Sequence, residues 1–151
     1  MVDYRLAPAN VFPDYVLDTA SAIGWVYRNI AQYGGNPNQL FVMGHSAGAF
    51  NVVSAVDDSR FWKTTGIPNK AILGVIGLAG PYDYDFRSGT TKVAFPADST
   101  PQQVMPVYHI RQDVPPHLLV TGSKDTLVYP QNADSLQKAL TQAGGNVERV
   151  Q

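Results

Sequence analysis

The sequence predicts an α/β protein with a mostly parallel sheet and helices on both faces. Three observations carry that prediction. Apolar runs of strand length alternate with helical patterns along the chain. The longest run, Ala71-Ile72-Leu73-Gly74-Val75-Ile76-Gly77-Leu78-Ala79, lacks the in-and-out alternation of a half-exposed strand. Glycine or proline marks most of the junctions. The 151 residues suffice for a sizeable core, and residues 1–151 read as one domain.

Taken in order, Met1-Val2-Asp3-Tyr4 reads as the end of a strand, and Arg5-Leu6-Ala7-Pro8 as a loop. Pro13 opens a helix whose buried stripe is Val16, Ala20, Ile23, Val26, Tyr27 and Ile30, spaced at three and four residues. Gly34-Gly35 ends it, and Asn36-Pro37-Asn38 turns the chain into the next strand, Leu40-Phe41-Val42-Met43.

Gly44-His45-Ser46-Ala47-Gly48 follows that strand directly and precedes the apolar Ala49-Phe50-Asn51-Val52-Val53. Strand, sharp turn and helix together make a nucleophile elbow with Ser46 at its tip. Glycines two residues either side are expected where backbones pack too closely for side chains. Asp57-Asp58-Ser59 ends the helix pattern, and its adjacent carboxylates read as a solvated helix end.

Gly80-Pro81 closes the long apolar strand. Residues 82–116 then turn polar and proline-rich, a long insertion expected to form a partial lid or substrate wall over the strand ends. Thr100-Pro101 marks one short helix inside it. His117-Leu118-Leu119-Val120-Thr121 is a further buried strand, with Gly122-Ser123-Lys124-Asp125 leaving its end. Pro130 opens a helix with Ala133, Leu136, Leu140 and Ala143 inward, closed by Gly144-Gly145, and a last strand begins at Val147.

The 11 basic and 12 acidic residues leave no basic patch, which argues against a nucleic-acid or acidic-membrane partner. No apolar run reaches the ~18 residues of a membrane span. The absence of cysteine excludes disulfides, zinc–thiolate sites and cysteine catalysis.

Asp3-Tyr4-Arg5-Leu6-Ala7-Pro8, the Tyr33-Gly34-Gly35-Asn36-Pro37 turn, the elbow and Gly122-Ser123-Lys124-Asp125 stand in an order and spacing that resembles α/β-hydrolase carboxylesterases, most closely the hormone-sensitive-lipase-like and related bacterial branch. The resemblance implies a partial α/β-hydrolase fold, incomplete at both ends. It implies Ser46 as nucleophile and Asp125 as the acid that orients a histidine, with the Ala47 backbone N–H as one oxyanion donor. No metal or organic cofactor is implied, and the substrate is a small or medium uncharged ester. Tyr82, Tyr84 and Phe86, with Phe95 and Tyr108, are candidates for an apolar or aryl-accepting substrate pocket.

Two departures from the family pattern matter. The oxyanion loop that precedes the Asp-Tyr stretch in such esterases has no counterpart here, nor has the histidine that follows the last strand. His45 diverges from its neighbour Ser46. His117 opens its strand about 13 Å from the catalytic edge, and His109, in the long insertion, reads as part of the approach to that strand rather than as a catalytic turn, so none of the three is expected to serve as the base. The first dozen residues are expected to be poorly anchored or repacked. An amide or peptide hydrolase of the same fold, such as an arylformamidase or prolyl-oligopeptidase-like enzyme, or a catalytically inert chain, stand as alternatives.

Overall fold

The computed structural model describes residues 2–151. Helix α1, Asp14–Asn29, leads through a 3-10 turn at Ile30–Tyr33 to strand β1, Leu40–His45. Helices α2, Ala47–Asp57, and α3, Ser59–Thr65, precede β2, Ile72–Leu78. A short α4, Pro101–Val104, lies inside the insertion, and β3, His117–Val120, α5, Gln131–Gln142, and β4, Val147–Val150, complete the chain. The four strands pair in the order β1-β2-β3-β4, all parallel. Among the described residues no helix is long and apolar enough to cross a membrane.

Register decides which side chains share a face. Val42, Val75 and Leu119 alternate with Met43, Ile76 and Leu118 across the first three strands. Helix α2 lies against the first set, since a Cβ on Gly44 would run into the Gly48 backbone. Helix α5 contacts β3 and β4 on the same side, where Arg149 pairs with Asp134. Helices α1 and α3 then pack on α2. The parallel sheet with interleaved helices is as expected, but among the described residues the helices gather on one face rather than both. On the opposite face Phe41 and Met43 are 64% and 65% exposed. Continuous apolarity signals a strand that could be buried twice, and only packing decides whether it is.

Met43→Lys should therefore change stability by no more than about 0.5 kcal/mol. Leu119→Ala, on the covered face with no exposure, should cost about 2–5 kcal/mol. Urea unfolding of the two variants measures the contrast.

Met1 lies outside the described residues, and Val2–Tyr4 run without strand pairing, contrary to the reading of this stretch as a strand end. The segment is repacked rather than loose. The Arg5 guanidinium donates to both carboxylate oxygens of Asp18, at 2.9 Å from Nε and 2.8 Å from Nη2. Phe12 sits in the core with its ring edge-on to Phe61 at 5.7 Å. The ion pair is exposed and screened by solvent, so Phe12 burial is the stronger tether.

The insertion is welded to the same core. Phe86 stacks on Phe95 at 4.0 Å, Phe95 meets Phe50 of α2, and Val104 and Met105 are buried. The Thr100 N–H donates to the Gln103 side-chain oxygen at 2.8 Å, one arm of the capping box that starts α4 where Thr100-Pro101 predicts it.

Candidate active site

Ser46 connects β1 to α2 with φ 53° and ψ −121°, in the positive-φ region that a side chain adopts only under strain. Its N–H donates to the Leu78 carbonyl at 2.8 Å, tying the turn to the end of β2. This places a half-buried hydroxyl at the tip, directly before the first turn of α2. The unpaired N–H groups of that turn, with the helix dipole behind them, favour negative charge beside the serine.

The glycines flanking Ser46 differ in what they do. Gly44 has no room for a side chain, because any Cβ would strike the Gly48 carbonyl and the Ala49 nitrogen. Gly48 has nothing within 4 Å of its Cβ position. Close backbone packing therefore explains the first glycine only.

A cleft of about 670 Å³ opens above Ser46. Ser46, Ala47, Phe50 and Asn51 line it together with Tyr4–Ala7 and Tyr15, with Pro81, Tyr84, Thr91, Ala94 and Phe95, and with Leu127–Tyr129 and Asn132. Arg5 is the one charged side chain in this lining, and it is engaged by Asp18 and Asp14. The wall offers aromatic and aliphatic surface and no unpaired charge, which suits an uncharged ligand.

Of the aromatic residues expected to line a pocket, Tyr84 and Phe95 do, and Tyr108 does not. Tyr82 and Phe86 are both buried, at 1% and 2% exposure, and neither lines the cleft. Tyr82 folds back over Gly77 and Gly80, where a Cβ on either would meet its ring or hydroxyl, and burial pushes its phenol up from the ordinary value. Phe86 is the inner partner of Phe95. A sequence pattern places aromatics on a loop but not the direction they point.

Asp125 lies after β3, at the same end of the sheet as Ser46, in a turn whose Leu127 and Val128 reach the cleft. One of its carboxylate oxygens accepts the N–H of Leu127 at 2.9 Å and of Val128 at 3.0 Å. Those two backbone bonds, Val128 first, hold the carboxyl below its ordinary value, and nearby His45 adds to the effect. The carboxylate is ionised and fixed in direction.

None of the three histidines lines the cleft. His45 lies on the open face of the sheet with Phe41 and Met43. His109 sits near Arg60 and Asp58, and burial holds its imidazole below the ordinary value. His117 is buried at the far end of β3, its Nε2 3.0 Å from Asp57.

Both carboxylates expected at a solvated helix end are interior, Asp57 at 1% and Asp58 at 4% exposure. Asp58 caps α3, accepting the Arg60 N–H at 2.8 Å, and it also pairs with the Arg60 guanidinium. The signal was present: Asp-Ser-Arg followed by Phe61-Trp62 is a helix start after a helix end. Asp58→Ala should cost about 1–2 kcal/mol through loss of this cap, a drop that thermal unfolding would register.

Asn132, at the start of α5, went unnoticed in the sequence. Its side-chain oxygen accepts the Asp83 N–H at 2.9 Å and its amide donates to the Tyr129 carbonyl at 3.2 Å. It thereby ties the insertion to the turn that carries Asp125.

The first 75 residues match the model of an alpha/beta hydrolase fold family. The chain is 27% identical over 157 residues to Esterase LipC of Mycobacterium tuberculosis, covering 92% of this chain and 39% of that protein. It is 27% identical over 173 residues to isoprenylcysteine alpha-carbonyl methylesterase ICME of Arabidopsis thaliana, covering 99% of this chain and 40% of that protein. A truncated form of a carbohydrate esterase from gut microbiota superposes with a TM-score of 0.81 at 17% identity, over 98% of this chain and 62% of the other. That last likeness is one of fold. The chain thus spans some 40% of the length of these curated relatives.

Proposed function

The chain is an α/β-hydrolase related to esterases, and on that premise we propose that Ser46 is the nucleophile of a carboxylic ester hydrolase acting on uncharged esters. The observation that carries the reading is the strained turn at Ser46, which holds a hydroxyl in an apolar cleft at a helix N-terminus. Ser46 attacks the ester carbonyl, the alcohol leaves, and water releases the acid from the acyl-enzyme. The Ala47 N–H is one donor to the oxyanion. Asp125 orients the histidine that takes the serine proton.

That histidine is not among the residues lining the cleft. Loss of the base from a serine triad costs on the order of a millionfold in turnover, so the 151-residue chain alone should be nearly inactive. A base dissolved in the buffer can stand in for a missing side chain. Hydrolysis of p-nitrophenyl butyrate is therefore followed with increasing imidazole, for the chain and for Ser46→Ala. The difference between the two should grow with imidazole concentration. Identical rates at every concentration would overturn the assignment.

A further inference from the structure

The imidazole of His117 and the carboxylate of Asp57 form a fully buried pair that the esterase chemistry does not use, with side-chain exposures of 0% and 1%. Asp57 ends α2, the helix that begins at the nucleophile turn, and His117 opens β3, the strand that leads to Asp125. The pair joins the two elements that carry the proposed catalytic residues, at the end of the sheet away from the cleft.

Both ring nitrogens of His117 face acceptors. Nδ1 lies 2.8 Å from the Pro115 carbonyl oxygen, which can only accept. Nε2 lies 3.0 Å from Asp57 Oδ2, within ion-pair distance but not aligned as a hydrogen bond. A neutral imidazole carries one proton and would leave a lone pair pointing at one of these oxygens. The geometry is satisfied by an imidazolium, whose two N–H groups point at the two oxygens.

The surroundings give the Nε2 proton little other support. The Tyr82 hydroxyl faces Asp57 from the loop after β2 and has no hydrogen-bond partner among the described residues. From the segment before β3, Arg111 donates its backbone N–H to the Asp57 carbonyl at 2.8 Å and its Nε to Val56 at 2.7 Å. Its guanidinium charge opposes protonation of His117, with Asp113 beyond it.

We propose that the Asp57–His117 pair is a proton-dependent latch, closed when both ring nitrogens of His117 carry a proton and released when the Nε2 proton is lost, which loosens α2 from β3. In accord with this geometry, Asp57 and the Pro115 carbonyl outweigh the desolvation of His117 and raise its pKa above the ordinary value. A group whose folded pKa is raised contributes stability that is complete below its unfolded value near 6.5 and is lost as pH rises through the folded value. The unfolding equilibrium constant should rise by up to about tenfold per pH unit across that window.

The test combines urea unfolding of the intact chain from pH 6 to 9 with an imidazole ¹⁵N titration. Asp57→Asn is the control, because an amide can donate to a neutral Nε2 and keeps the shape of the pair. The latch predicts a stability loss above pH 6.5 in the native protein, a much flatter profile in Asp57→Asn, and a His117 ring that is doubly protonated at pH 6.5. A ring protonated on one nitrogen only at that pH overturns it, as does an unchanged pH slope in Asp57→Asn. Should Asp57→Asn fail to fold, the ¹⁵N titration of the native protein decides alone. None of these readouts needs esterase activity, so the latch and the assignment of Ser46 stand or fall separately.

Discussion

Gly44→Ala is expected to cost about 3–5 kcal/mol, a large share of the 5–15 kcal/mol that holds a domain of this kind folded. The added methyl would occupy space held by the carbonyl of Gly48 and the nitrogen of Ala49. These are backbone atoms in the first turn of α2, so no side-chain rotation can relieve the overlap. The helix would have to lift from β1, breaking the bond from the Ser46 N–H to Leu78 and uncovering Ala49 and Val53, which have no exposure. Gly48→Ala is the counterpart. It lies within α2 with open space around its Cβ position and no positive φ, so alanine should stabilise by up to about 1 kcal/mol through helix propensity. Urea midpoints for the two variants should move in opposite directions. Equal losses would mean that close packing at the elbow is not confined to Gly44.

Ser46→Gly is expected to raise stability while abolishing all chemistry at the elbow. At φ 53° and ψ −121° the serine Cβ is under strain, and such positions store about 1–3 kcal/mol. Glycine adopts them at little steric cost, and outside a helix interior its entropic penalty is smaller than the strain released. Ser46→Ala keeps the Cβ and should keep the strain. Glycine should therefore exceed alanine in unfolding free energy by about 1–3 kcal/mol, with neither variant retaining a nucleophile. Equal stability would show that the turn is relaxed and that the strained serine has no energetic basis.

Much of this fold was legible because the informative residues act locally. Glycine and proline ended the elements where the structure ends them, Thr100-Pro101 started α4, and the elbow stood out because strand, serine and helix adjoin in sequence. What escaped depends on distant contacts. Nothing near Phe41 or Met43 says that one face of the sheet stays open. Nothing near Asp57 says that residues 109–117 fold over it, so a buried carboxylate with a histidine partner looked like a solvated helix end. Tyr82 and Phe86 were placed on the correct loop, but whether they line the cleft or lie beneath it is set by Gly77, Gly80 and Phe95. The turn around Asp125 is local and was readable. Its link through Asn132 to Asp83 spans 49 residues and was not.

Ser46 as a nucleophile poised in an apolar cleft is open to chemical trapping. Its most direct test is reaction of the intact chain with a neutral fluorophosphonate, followed by mass spectrometry of the peptides. A single phosphonyl adduct on Ser46 is expected, formed slowly for want of a base in the cleft and absent in Ser46→Ala. Adducts spread over other serines and tyrosines, with Ser46 unmodified after prolonged exposure in the presence of imidazole, would contradict it.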